Sequence, residues 1–206
     1  MRDEVERATQ RAQRYWFDDG LAEIGIGAIL LLIGLMFYAE AVVPPSALPT
    51  GFSSIGLIVI VFGGWWLAGR LVKAAKARLT YPRTGYVSYA RPRKRRLGAA
   101  VVIGAGTAAL VAVLFATAPA SLAWLPALQG LLGAAFTVYV AYRFALGRFY
   151  VLAVISVLVG ASAALAGLGD LLGDAVYYGT MGISFIVSGL LTLYGYLRRH
   201  QRPAEG

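Results

Sequence analysis

Leu21 to Glu40 reads LAEIGIGAILLLIGLMFYAE, and Glu23 is its only charge before the final position. A helix needs about 20 mostly apolar residues to cross a hydrocarbon core of roughly 30 Å. This stretch meets that length with one carboxylate near its start. Working outward, the runs 52–69, 97–117, 122–142, 149–168 and 176–197 meet the same criterion. Pro44, Pro45 and Pro49 break the chain after the first run, and Pro119 separates the third from the fourth. The links between runs three and four, four and five, and five and six are short, so neighbouring helices must be antiparallel.

The composition agrees. Apolar residues make up 59% of the 206 and charged residues 14%, against about 25% charged in an ordinary soluble domain. Mean hydropathy is +0.68. One soluble core of this size could not hide so much apolar surface, and disordered chains are apolar-poor. The expected fold is therefore all-α: a polytopic integral membrane protein of six transmembrane helices in three antiparallel hairpins. The segments are an interfacial amphipathic stretch (1–20), a first hairpin (21–69), a basic loop (70–96), a second hairpin (97–142), a third with its leading loop (143–197) and a tail (198–206).

Positive charge orients the bundle. Arg2, Arg7, Arg11 and Arg14 precede the first run, and ten basic residues crowd 70–96. Arg143 and Arg148 follow the fourth run; Arg198, Arg199 and Arg202 follow the sixth. The opposite loops hold no Lys or Arg, only Glu40, Asp170 and Asp174. All 19 basic residues thus fall on one side, which places both termini in the cytoplasm and the protein in the cell (inner) membrane. Trp16, Trp65, Trp66 and Trp124 all fall near expected interfaces, as their amphipathic rings prefer. Ala39-Glu40-Ala41 has the look of a signal cleavage site, but the acidic segment before the run is unlike a short basic n-region.

The absence of cysteine excludes disulfides, thiol catalysis and thiolate metal sites. His200 is the sole histidine, and no phosphate-cradling loop or HExxH can be read. Neither cofactor nor metal is expected, and a catalytic role is not. The basic loop carries the main functional expectation. Leu79-Thr80-Tyr81 and Tyr86-Val87-Ser88-Tyr89 flank Pro82-Arg83-Thr84-Gly85, which predicts a small hairpin. Arg91, Arg93, Lys94, Arg95 and Arg96 then abut the third run. Clusters of this density beside a span attract anionic headgroups. Arg83, those five residues and Tyr81, Tyr86 and Tyr89 are therefore the expected site for membrane lipid, anionic in kind, or for a partner protein. Nucleic acid is disfavoured because the cluster sits against the bilayer.

Inside the spans, Glu23 is the sole carboxylate, placed to reach the interface or to pair with Arg143 or Arg148. Thr180, Ser184, Ser188 and Thr192 recur every four residues along the sixth run. Small and hydroxyl residues are what tightly apposed membrane helices use, so packing is the first reading and a polar path the second. Gly56, Gly63 and Gly69 share their spacing with Gly182, Gly189 and Gly195. Gly27 and Gly34 share theirs with Gly160 and Gly167. That is a weak internal repeat between helices 1–2 and 5–6, and it points to self-association as a homo-oligomer or within a membrane complex. Asp170 and Asp174 read as an exposed acidic loop. The leading expectation is a non-catalytic membrane component whose basic loop docks anionic lipid or a partner. A small channel or transporter near the sixth helix is the alternative. An enzyme using the carboxylates Asp18, Asp19 and Glu23 comes third.

Overall fold

The computed structural model describes residues 17, 19–49, 51–79 and 124–199. All of them belong to one of the two compact units of the chain, Met1–Gly85 with Ala123–Gly206; the other, Tyr86–Leu122, lies outside the described residues. The expected hairpin around 82–85, the basic run 91–96, the apolar run 97–117, the N-terminal amphipathic stretch and the tail from 200 all lie outside them too.

Everything described is helix or short connection, with no strand among the described residues. Helix α1 spans Leu21–Val42. A single 3₁₀ turn, Pro45–Ala47, leads to α2, Phe52–Ile58. One π turn, Val59–Gly63, joins it to α3, Gly64–Leu79, so the helix runs on into the first ten residues of the basic segment 70–96. Then come α4, Leu125–Phe144, α5, Arg148–Leu165, and α6, Gly169–Arg199. Among the described residues, five helices are long and apolar enough to cross a membrane: Leu21–Val42, Ser54–Ala77, Leu125–Phe144, Arg148–Leu165 and Leu171–Arg199.

One boundary differs from expectation. Residues 169–175 belong to α6 rather than to a loop. Gly167 takes a left-handed φ of 60°, which reverses the chain in three residues, and nothing from Gly169 onward breaks a helix. Asp174, expected in an exposed acidic loop, is consequently buried in the bundle.

In lipid, helices gain little from hiding apolar surface against one another, so close backbone approach and hydrogen bonds hold them together. Helices α1 and α6 show this most fully. They run antiparallel, with Gly20 against Gly189, Gly27 against Gly182 and Gly34 against Gly179. A Cβ on Gly27 would stand 2.7 Å from the Gly182 carbonyl oxygen, a distance no side chain tolerates. Gly130 and Gly160 bring α4 and α5 together in the same way. Of the remaining repeat glycines, Gly63 and Gly167 face open space where their counterparts Gly189 and Gly34 are packed, while Gly69 and Gly195 are both open. Between these glycine seams the core is filled by Phe149, which meets Phe17 edge-on at 5.6 Å and Phe185 at 6.0 Å, with Met181 and Leu152 beside them.

The α2–α3 rod differs from the other helices. It rests on α1 by one face and leaves Phe62, Trp65, Trp66 and Leu71 exposed. Large apolar side chains on an outer surface are what a lipid environment accepts.

Candidate functional site: a buried charge cluster at one end of the bundle

The start of α1 carries two carboxylates one helical turn apart, Asp19 and Glu23, and both are almost wholly enclosed, at 1% and 0% exposure. An ionised carboxylate in that setting must be paired. Asp19 Oδ2 lies 2.8 Å from Lys76 Nζ, a lysine only 2% exposed on α3. Asp19 Oδ1 also accepts the Leu21 backbone N–H at 3.2 Å, a short link at the helix start. Glu23 Oε1 accepts Arg148 Nε at 2.8 Å, and Glu23 Oε2 accepts the Ser188 hydroxyl at 2.8 Å. Arg148 also donates to the Phe17 carbonyl, which lets one guanidinium bind α1 and the residues before it together.

Chain directions bring these residues to one end. Gly20, with a left-handed φ of 71°, turns the chain into α1 directly against Gly189 of α6. Antiparallel α3 then returns Lys76 to the same level. Ala145, also left-handed at φ 53°, ends α4, and Leu146 plugs the core so that α5 starts with Arg148 facing Glu23. Four helices therefore meet here: Glu23 in the first turn of α1 and Asp19 just before it form ion pairs with Arg148 of α5 and Lys76 of α3, and Ser188 of α6 adds a hydrogen bond.

Glu23 does not reach the surface; of the two arginines considered for it, Arg148 is its partner. Arg143 instead lies 6.0 Å from the Phe144 ring. The hydroxyl row on α6 is mostly consumed by the fold. Ser184 donates to the Thr180 carbonyl and Thr192 to the Ser188 carbonyl, each at 2.8 Å, while Ser188 serves Glu23. Hydroxyls that bond back to their own helix have used their proton there and keep only acceptor lone pairs. Reading by sequence did not single out Asp19 with Lys76. The available signal was the one-turn spacing of Asp19 and Glu23, which puts two acids on one side of the α1 entry.

A second polar knot sits towards the other end. The Ser156 hydroxyl donates to the Gly130 carbonyl at 2.9 Å and contacts the Tyr177 hydroxyl at 2.9 Å, and Tyr177 donates to the Gln129 carbonyl at 3.0 Å. Two protons are shared among three contacts, which pins α4, α5 and α6 together. Beside it lies a cavity of about 320 Å³ lined by Gln129, Phe136, Tyr178 and Met181 among others. No group of three or more metal-ligating side chains exists among the described residues. The expected lipid- or partner-binding residues Tyr81, Arg83, Tyr86, Tyr89, Arg91, Arg93, Lys94, Arg95 and Arg96 lie outside them.

No family model matches the chain, and no curated protein and no solved structure shows significant similarity to it.

Proposed function

We propose that this protein is a non-catalytic, multi-pass membrane component whose basic cytoplasmic segment docks anionic lipid. The observation that carries the reading is the fate of the buried polar groups. The fully enclosed carboxylate Glu23 is held by Arg148 and Ser188, and Asp19 is held by Lys76. Charges engaged in this way tie helices together. Of the ten basic residues of 70–96 Lys76 is spent in this way, and the other nine are the basic chemistry the sequence offers a ligand. Anionic headgroups match that excess, each basic residue near the surface contributing about 1 kcal/mol.

The topology belongs to the same proposal. Helix α3 ends at the level of Asp19, whereas α4 starts at the opposite end, where Pro126 lies against Gly173 in the first turns of α6. In this reading residues 80–123 supply the remaining crossing. Within them, 97–117 is the run apolar enough for a sixth crossing. With the positive side facing the cytoplasm, the charged cluster marks the inner boundary and both termini are cytoplasmic.

The test is native mass spectrometry of the full chain with phosphatidylglycerol and phosphatidylcholine. The wild type should retain phosphatidylglycerol preferentially. A variant with Arg91, Arg93, Lys94, Arg95 and Arg96 all changed to glutamine should lose most of that preference. Equal retention by the variant overturns the reading.

A further inference from the structure

A groove runs between α1 and α3 with a volume of about 480 Å³. Ile26 and Ile29 of α1 and Trp65, Ala68 and Val72 of α3 form its apolar walls, and Lys73 stands at one end. Small side chains make the space: Gly25 and Gly69 line it, and nothing lies within 4 Å of where a Cβ on Gly69 would sit. From the level of Trp65 to that of Lys73 the groove follows about 12 Å of helix.

Two lysines on α3 occupy opposite situations. Lys76 is enclosed and paired to Asp19. Lys73, one turn earlier, is exposed on the groove, and no ion pair holds it among the described residues. One turn before it, Arg70 lies over the Trp66 ring at 4.1 Å. An apolar slot closed at one end by a free ammonium has the polarity of one ligand class, an acyl chain capped by an anion.

We propose that this groove binds one anionic phospholipid of the inner leaflet, an acyl chain lying along Ile26, Ile29 and Ala68 and the phosphate meeting Lys73. Lysine is suited to that contact as a mobile point charge with three donors. Gly69 is the residue that keeps the slot open. The site rests on the orientation and lipid preference proposed above, but it is a separate locus from the run 91–96.

Gly69→Leu places a side chain in the slot from a Cβ position with nothing within 4 Å, and Lys73→Gln removes the charge while keeping the stem. Each full-length variant would be purified in detergent, checked for helicity and monodispersity, and analysed by native mass spectrometry with phosphatidylglycerol. Lys73→Gln should lower the occupancy of the tightest-bound phosphatidylglycerol by about fivefold, the weight of one basic residue near an anionic surface, and Gly69→Leu should lower it too by filling the slot. Phosphatidylcholine should bind there no better to the wild type than to Lys73→Gln. Wild-type occupancy in a well-folded Gly69→Leu protein overturns the groove, as does a wild-type preference for phosphatidylcholine over phosphatidylglycerol. Should Gly69→Leu aggregate, Lys73→Gln alone decides, because an exposed, unpaired lysine has no part in holding the helices. Loss of lipid in the five-glutamine variant with retention in both groove variants rejects the groove and leaves the docking segment. The reverse pattern rejects the docking segment and leaves the groove.

Discussion

Glu23 and Arg148 stand 125 positions apart in the chain, yet the carboxylate of the first is fully enclosed and accepts the guanidinium of the second at 2.8 Å. The pair joins the first turn of α1 to the first turn of α5, and Ser188 adds α6 through the other carboxylate oxygen. Closely spaced glycines bring α1 and α6 together along their length, but glycines alone allow neighbouring helices to slide. An ion pair with a defined partner sets the register. Polar groups buried in a membrane protein find partners because lipid offers none, so a misregistered bundle would strand both charges.

Breaking that pair from one side should be more damaging than removing it. Arg148→Met leaves Glu23 enclosed without its cation, and is expected to destabilise the bundle by about 3 kcal/mol. Arg148 is 29% exposed, so solvent screening holds the effect at the low end for a buried pair. The double variant Glu23→Leu with Arg148→Met should recover part of the loss, since no buried charge is then left alone. Denaturant unfolding in mixed micelles measures all three proteins. A double variant no better than the worse single one would show that the pair contributes through packing and not through charge.

The two lysines of α3 give a paired comparison within one helix. Lys76→Met takes the buried lysine from Asp19 and is expected to lower stability by about 3 kcal/mol. Lys73→Met, at an exposed position, should change it by less than about 0.5 kcal/mol. Thermal unfolding of both variants at the same protein-to-detergent ratio checks the difference, and similar values for the two would contradict the burial of Lys76.

The five apolar helices were legible because crossing a bilayer imposes a length and a hydropathy that no other environment requires; Leu21–Val42 could hardly be anything else. The charged cluster was only half legible. Glu23 stood out as an acid inside an apolar run, and Arg148 was one of two arginines at the right level. Choosing between Arg148 and Arg143 depends on how α4 and α5 are rotated, and Ala145 and Gly147 set that rotation through a turn whose geometry hydropathy does not encode. Lys76 was hidden among its neighbours. In a segment with ten basic residues, nothing in the spacing marks the one that turns inward, and only the placement of α3 on α1 does so. Asp174 was misread for a related reason, because an acid directly after a glycine looks like a loop until Gly167 is seen to make the whole reversal.

Glycine positions separate into contacts and spaces, and substitution should sort them. Gly27→Ala puts a methyl group 2.7 Å from the Gly182 carbonyl oxygen and 2.8 Å from the Ile186 nitrogen. Backbone cannot give way as a flexible side chain would, so a loss of about 2 kcal/mol is expected from overpacking. Gly195→Ala has open space around the new methyl group and gains helix propensity, worth about 0.5 kcal/mol or slightly more in the stabilising direction. Unfolding curves for the two variants should therefore shift in opposite directions. A shift in the same direction would mean that the α1–α6 seam is looser than the structure describes.

The hydroxyl row of α6 offers the sharpest separation between packing and permeation. Ser188 donates to a carboxylate, a charge-assisted bond, and Ser188→Ala should cost about 1.5 kcal/mol. Ser184 donates to the carbonyl of Thr180 on its own helix, an oxygen that the helix ladder already serves, so Ser184→Ala should cost less than about 0.5 kcal/mol. A polar path would impose a different pattern: Ser184→Leu would block or alter solute movement while leaving stability nearly unchanged. Proteoliposomes loaded with a panel of ions and small solutes can be compared for wild type and Ser184→Leu alongside the unfolding series. No flux in either protein, together with a Ser188 effect that disappears when Glu23 is already leucine, is the outcome expected of hydroxyls that hold helices together. Flux through the wild type that Ser184→Leu abolishes would instead make α6 the wall of a channel.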